Sequence, residues 1–316
     1  MNRGRTTLIW FGLAAFLVLA AVLSVAIGPS AFSAESLRAM LALRFMRLTL
    51  GIFAGGVLAL VGATLQGLLQ NPLVDPFTLG VASGAALGSA VALVLGRISS
   101  AFLPLGGFVG ALVAIIAVYM LARVRGRVAT NGLVLAGVIM SFLFSSLVML
   151  VMILGHRTLG EAVYMMMGYL GAVFTQRSIW VFVVAMALGL AGCVWLWSYS
   201  RQLDIVSSSE ETALSLGVDT ERLTLAVFVI SSVLVGLVVS FTGAISFVGL
   251  VVPHLVRMML GPAHVRVLPG SFLAGAGVLL VSDVLARNVV PGGLPLSIVT
   301  ALVGVPFFIY LLRRRL

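Results

Sequence analysis

The chain contains no lysine; all nineteen of its basic residues are arginine. A Walker A loop needs its lysine to hold nucleotide phosphates, so ATP cannot be bound here in that way, and any ATP-driven step belongs to a partner. Acids are scarce too, nine in 316 residues, and the three histidines are scattered. With no HExxH pattern and no paired carboxylates, neither a catalytic residue nor a metal ligand set can be named. The one cysteine, Cys193, sits within an apolar run, which excludes an intrachain disulfide and offers no metal site. Above all the chain lacks polar surface: it is 61% hydrophobic and 9% charged, a composition of polytopic membrane proteins and not of soluble globules. The net charge of +10 therefore reads as membrane topology. Nucleic-acid binding is set aside, because the arginines are spread between apolar runs instead of sharing one face.

What is present is a series of runs long enough to cross about 30 Å of hydrocarbon as helices. Nine are clear, at approximately 7–27, 48–69, 77–96, 101–122, 132–154, 178–198, 223–241, 268–286 and 294–312. A shorter one, about 246–261, holds Pro253, His254 and Arg257 and reads as tilted or partly re-entrant. The expectation is an all-α integral membrane protein of about ten transmembrane helices in a single domain, 1–316, with its longest inner loop at about 199–222. Arg3, Arg5 and the apolar core after them resemble a signal peptide, but that core exceeds the usual length of such a region, so a retained first helix is expected. An even number of spans puts both termini on one side. If that side is the cytoplasm, twelve arginines fall on inner segments and seven on outer ones, in keeping with the positive-inside bias.

Residues 44–80 organise the rest. Gly51, Gly55, Ala59, Ala63 and Gly67 recur every fourth residue, forming one smooth stripe where another helix can approach closely. Asn71-Pro72 stops that helix, and Asp75-Pro76 reads as an N-cap followed by proline at the first helical position. Gly80, Gly84 and Gly88 give the next helix its own stripe. A shift of 181 residues superposes Gly55 on Gly236, Gly62-Ala63 on Gly243-Ala244, Leu69 on Leu250, Pro72 on Pro253 and Gly80 on Gly261. Copies five spans apart run in opposite directions, which is an inverted internal repeat of the transporter kind.

The ordered landmarks Asn71 to Pro76 with Leu79-Gly80, Leu133 to Val138, Leu216-Gly217-Val218, Gly243 to Arg257, Asp283 to Arg287 and Leu294-Pro295 resemble the FecCD-type permease subunits of bacterial ABC importers for iron–siderophores, haem and cobalamin. The resemblance covers nearly the whole chain. It implies a type II ABC importer permease fold in the bacterial inner membrane, a cytoplasmic ABC ATPase dimer that binds ATP and Mg, a substrate-binding protein, and a second permease copy or paralogue. No cofactor is expected on this chain itself. Three positions depart from the family pattern. Arg44-Phe45-Met46-Arg47 lacks the proline usual between the arginines, Gly293 stands for an acid, and Met165 for a tryptophan before Gly168.

The inner loop reads as a short amphipathic helix, with Ser207–Glu210 and Ser208–Glu211 as candidate capping boxes, Ala213 and Leu216 on one face and Gly217 ending the turn. In similar permeases this element couples to the ATPase, which nominates Glu210, Glu211, Ala213, Leu216 and Gly217; a plain solvated loop is the alternative. On the outer side Arg44, Arg47 and Arg287 run against the charge bias and suit acidic residues of a docking protein, unless each merely anchors a helix end or, for Arg287, pairs with Asp283 four residues before it. The resemblance also nominates Asn71, Leu73, Thr130 and Asn131 as an inner gate, with helix capping as the alternative. His254 reads as bonded to nearby backbone, and Met165 to Met167 as a pliable outer gate or as packing. An ion-coupled secondary transporter is the competing class. It normally shows intramembrane acids, and only Asp283 lies within a clear span.

Overall fold

The computed structural model describes residues 3–28, 37–95, 103–124, 127–128, 130–156, 160, 163, 166–171, 176–290 and 292–315. Within them lie twelve α-helices: α1 (Arg3–Ala26), α2 (Leu37–Leu68), α3 (Val81–Val94), α4 (Leu103–Ala122), α5 (Thr130–Leu154), α6 (Gln176–Ser198), α7 (Ser200–Ser208), α8 (Glu210–Ser215), α9 (Thr220–Thr242), α10 (Val248–Leu260), α11 (His264–Val289) and α12 (Leu296–Arg315). A two-residue antiparallel ribbon, Arg123–Val124 with Arg127–Val128, links α4 to α5. Seven helices are long and apolar enough to cross a membrane, and α3, α10 and residues 296–307 of α12 form three shorter apolar helices. Each of the ten apolar runs of the sequence thus holds a helix among its described residues.

The third run differs from its expected form. Asp75 does cap, its Oδ1 accepting from the Phe77 N–H at 2.9 Å with Pro76 first in the turn, but it opens only a single 3-10 turn, Pro76–Leu79. Gly80 at φ 76° ends that turn, and α3 begins after it with 14 residues, about 21 Å of rise. Its counterpart α10 has 13 residues and starts from an irregular stretch closed by Phe247 at φ 69°. A bulky residue in the left-handed region costs about 1–2 kcal/mol. Contacts hold it there, since the Phe247 N–H donates to Asp75 Oδ2 at 3.3 Å.

The stripe on α2 receives α11. Gly51 lies against Leu280, Gly55 against the backbone of Gly275, and Gly67 against the His264 ring, while Gly62 meets the backbone of Gly249 on α10. A side chain at Gly55 or Gly62 would drive its Cβ into a carbonyl. Of the apolar window of α2 83% is buried, against 17% for α1, so α2 is the centre of the bundle and α1 its margin. The glycines of α3 likewise face Gly106 and Gly110 of α4.

Packing repeats between the halves. α2 lies along α11 and α9 along α4; α2 touches α10 and α9 touches α3. Gly55 and Gly236, matched by the sequence shift, hold like positions, one against Gly275 of α11 and the other against Ala111 of α4. Beyond them the match fails. Pro72 lies in a loop whereas Pro253 lies inside α10, and Gly80 precedes α3 whereas Gly261 comes after α10. The connection after α2 is longer than the one after α9, so a fixed shift cannot align both sides of it.

Candidate functional site

Polar side chains gather at the two ends of the α2–α11 pair. Arg47 lies 20 residues before Gly67 on α2, and His264 lies 19 before Asp283 on α11. Each interval amounts to about 30 Å of helix, so the antiparallel pair meets at both ends.

At the first end Asp283 is fully buried and takes a bidentate pair from Arg47, with Nη2–Oδ1 at 2.7 Å and Nε–Oδ2 at 2.9 Å. Arg47 also lies over the Tyr169 ring, 5.3 Å from its centroid, a cation–π distance. Arg287, the partner expected from spacing, is farther from Asp283, with Nε 3.6 Å from Oδ2. Its Nη2 donates to the Ser24 carbonyl of α1 at 2.5 Å. Arg44 does similar work, donating to the carbonyls of Val25 and Ala26 at 2.5 and 3.3 Å. Both arginines are buried. The carbonyls at the end of α1 have no intrahelical donor, and these two guanidinium groups supply it. Arg44 and Arg287, nominated for docking, therefore occupy the helix-anchoring positions, while Arg47 is partly exposed beside a cleft of about 200 Å³ lined also by Tyr169, Asp283, Gly292 and Gly293.

At the second end the long loop forms two helices, not one. Ser209, rather than Ser207 or Ser208, caps α8, accepting from the Thr212 N–H at 3.0 Å. Ser207 and Ser208 instead close α7, donating back to the carbonyls of Leu203 and Asp204. Ala213 is fully buried and Leu216 is 63% exposed, so the two do not share a face. The reason is local: α8 ends at Ser215 and Leu216 has left helical geometry, so helical spacing no longer relates them. Leu214, 60% exposed, joins Leu216 on the open surface, and Gly217 turns the chain at φ 75°. The side chains of Glu210 and Glu211 lie outside the described residues.

Asn71 and Leu73 are exposed beside this end of α2, and the Asn71 side-chain carbonyl oxygen accepts from the Leu73 N–H at 2.9 Å, a local turn of the capping kind. Thr130 opens α5 with Asn131 behind it, but their side chains lie outside the described residues. His254 packs edge-on to Phe307, their ring centroids 6.5 Å apart. Met166 packs against Ala86, Ala90, Val148 and Met152, and Met165 lies outside the described residues.

Other polar contacts carry no sequence motif. Gln66 sits between the halves, its Nε2 3.1 Å from the Leu250 carbonyl and its Oε1 accepting from Arg257 at 2.5 Å. Arg257 Nη2 donates to the Ala63 carbonyl at 2.8 Å. Asp75 joins the two irregular connections, and burial pushes its carboxyl up to about 6 against the pull of the Phe77 and Phe247 N–H groups. No group of three or more His, Cys, Asp or Glu that could hold a metal occurs among the described residues.

Comparison with known proteins agrees with this layout. The model of the FecCD transport family matches residues 7–314. A cobalamin import system permease protein of Halobacterium salinarum is 38% identical over 274 residues, 86% of this chain and 73% of its own. A hemin transport system permease protein of Yersinia pestis is 36% identical over 280 residues, 86% of this chain and 82% of its own. A solved structure, described as an inward-facing conformation of an ABC transporter of the metal-chelate type, superposes with a TM-score of 0.85 at 33% identity, covering 98% of this chain and 99% of that one.

Proposed function

Since this chain belongs to the FecCD transport family, we propose that it passes a metal chelate of the iron–siderophore, haem or cobalamin class from a binding protein into the cytoplasm. The chain is a translocating subunit, and ATP hydrolysis belongs to a separate ATPase. Two permease chains, alike or paralogous, flank one path in the inner membrane with an ATPase dimer beneath. The termini and α7–α8 face the cytoplasm, and the Arg47–Asp283 end faces the binding protein. Asn71 and Leu73, with Thr130 and Asn131, form the inner gate, and opening alternates between the two sides.

The observation that carries this reading is the surface of α8. Leu214 and Leu216 stand exposed at the tip of a capped helix whose neighbour α7 is bonded to α2. Exposed apolar side chains on a loop between membrane helices call for a protein partner, and an ATPase cleft supplies one. The outer arginines add a net positive field, three guanidinium groups around one carboxylate, which favours approach of an acidic binding protein. Ion coupling loses its best candidate, because Asp283 is already held by Arg47.

The test is reconstitution of the chain with its ATPase and binding protein in liposomes, with siderophores, haem and cobalamin offered in turn. One class should stimulate ATP hydrolysis and accumulate inside. Leu216→Asp should leave stability within about 0.5 kcal/mol of the parent, as surface changes do, and abolish stimulated hydrolysis. Normal coupling in that variant, or uphill uptake on a proton gradient without the ATPase, would overturn the proposal.

A further inference from the structure

α7 is tied to two spanning helices at once. Gln70 Nε2, just past the end of α2, donates to the Val206 carbonyl at 2.6 Å, and Ser207 Oγ lies 3.0 Å from the Gly67 carbonyl. From the same helix Asp204 Oδ1 accepts the backbone N–H of His264 at 2.8 Å and lies 2.6 Å from His264 Nδ1. His264 is the first residue of α11, and Ala263 before it offers no side-chain cap. Asp204 therefore caps α11 from another helix, a task normally done by the residue before a helix.

The ring is nearly inaccessible, and its Nε2 is buried without a hydrogen-bond partner among the described residues, pressed on Gly67, where any side chain would displace it. The His264 ring is thus a wedge at the crossing of α2, α7 and α11. Farther along, the same two spanning helices are joined by Gly55 on Gly275 and by Arg47 with Asp283. Through these contacts α7 touches both members of the α2–α11 pair at one point.

Resting on the function proposed above, we infer that Asp204 and His264 are positioning residues for transport, the joint through which displacement of α8 by the ATPase reaches the α2–α11 pair. α9, at the far end of the loop, is capped by the exposed Asp219 from its own chain segment, so among the described residues its start has no equivalent tie to another helix.

The experiment compares the reconstituted parent complex with Asp204→Ala and Asp204→Asn, reading cargo transported per ATP hydrolysed. Asparagine keeps an acceptor oxygen at the same reach, so it should retain transport per ATP within about twofold, whereas alanine should lower it at least tenfold while basal hydrolysis persists. If alanine prevents assembly, Asp204→Glu, one methylene longer with the same acceptors, should assemble and show a reduced ratio. A parent-like ratio in alanine, or in glutamate where alanine does not assemble, would overturn the joint, and so would asparagine failing as badly as alanine. A parent complex that shows no ATP-driven uptake would instead count against the function itself.

Discussion

The two ends of the α2–α11 pair are both closed by a carboxylate, yet they are built differently. At one end Asp283 is fully buried, belongs to α11 itself and is surrounded by arginines. At the other the carboxylate of Asp204 is 38% exposed, comes from α7 and meets a histidine. A charge buried with its partner is costly to separate, because each ion would be stranded away from water. A half-wet carboxylate can exchange its partner for solvent at little cost. The buried end suits a fixed hinge and the wet end a contact that must bear repeated motion.

The largest expected effect tests that difference. Asp283→Ala should cost about 3–5 kcal/mol of stability, the penalty for removing the buried partner of an ion pair. Asp204→Ala should cost about 1–3 kcal/mol, the penalty for leaving the buried N–H groups of His264 without their acceptor. Thermal unfolding of the purified variants in detergent measures both, and equal losses would erase the distinction between hinge and joint.

The same contrast separates what the residue order discloses from what it hides. The spans, the α2 stripe and the Asp75 cap are local in sequence, so periodicity and cap rules reach them. Arg44, Arg47 and Arg287 stand out against the positive-inside bias, and i,i+4 spacing finds the Asp283–Arg287 pair at 3.6 Å, but the closer partner of Asp283, Arg47, is 236 residues away and beyond the reach of local rules. The capping-box rule points to Ser207 and Ser208, which have Glu three places on, and not to Ser209, which has Thr. In the fold the first two donate back to the carbonyls of Leu203 and Asp204 at the end of α7, and Ser209 is left to cap α8. The joint was illegible for a plainer reason. Gln70 and Ser207 bond to backbone carbonyls, which every residue possesses, and Asp204 lies 60 residues from His264.

A middle-sized effect sharpens the division of labour among the arginines. Arg44→Ala removes the donor to the last carbonyls of α1 and should cost about 1–3 kcal/mol in the same unfolding measurement. It should leave binding-protein association nearly unchanged. Arg47→Ala should slow that association and flatten its salt dependence, as loss of a rim charge does. Indistinguishable association rates for the two variants would make Arg47 a structural ion pair like its neighbours.

The smallest effect concerns Asp75, which joins the halves between those two ends. Its carboxyl is raised from an ordinary 3.8 to about 6 by burial, so the folded chain holds the proton more firmly than the unfolded one. Stability should therefore fall as pH rises from about 4 through 6, because the unfolded state ionises first, and level off above about 7. Asp75→Asn keeps an oxygen for the Phe77 N–H but turns an amide donor toward the Phe247 N–H, so it retains the cap and gives up the 3.3 Å link to the start of α10. The variant should show a flatter dependence of melting midpoint on pH between about 4 and 6, with a change at neutral pH smaller than that of Arg44→Ala. A slope equal to the parent's would move the pH dependence to other groups and leave Asp75 as a helix cap, no more sensitive to protons than the serine that caps α8.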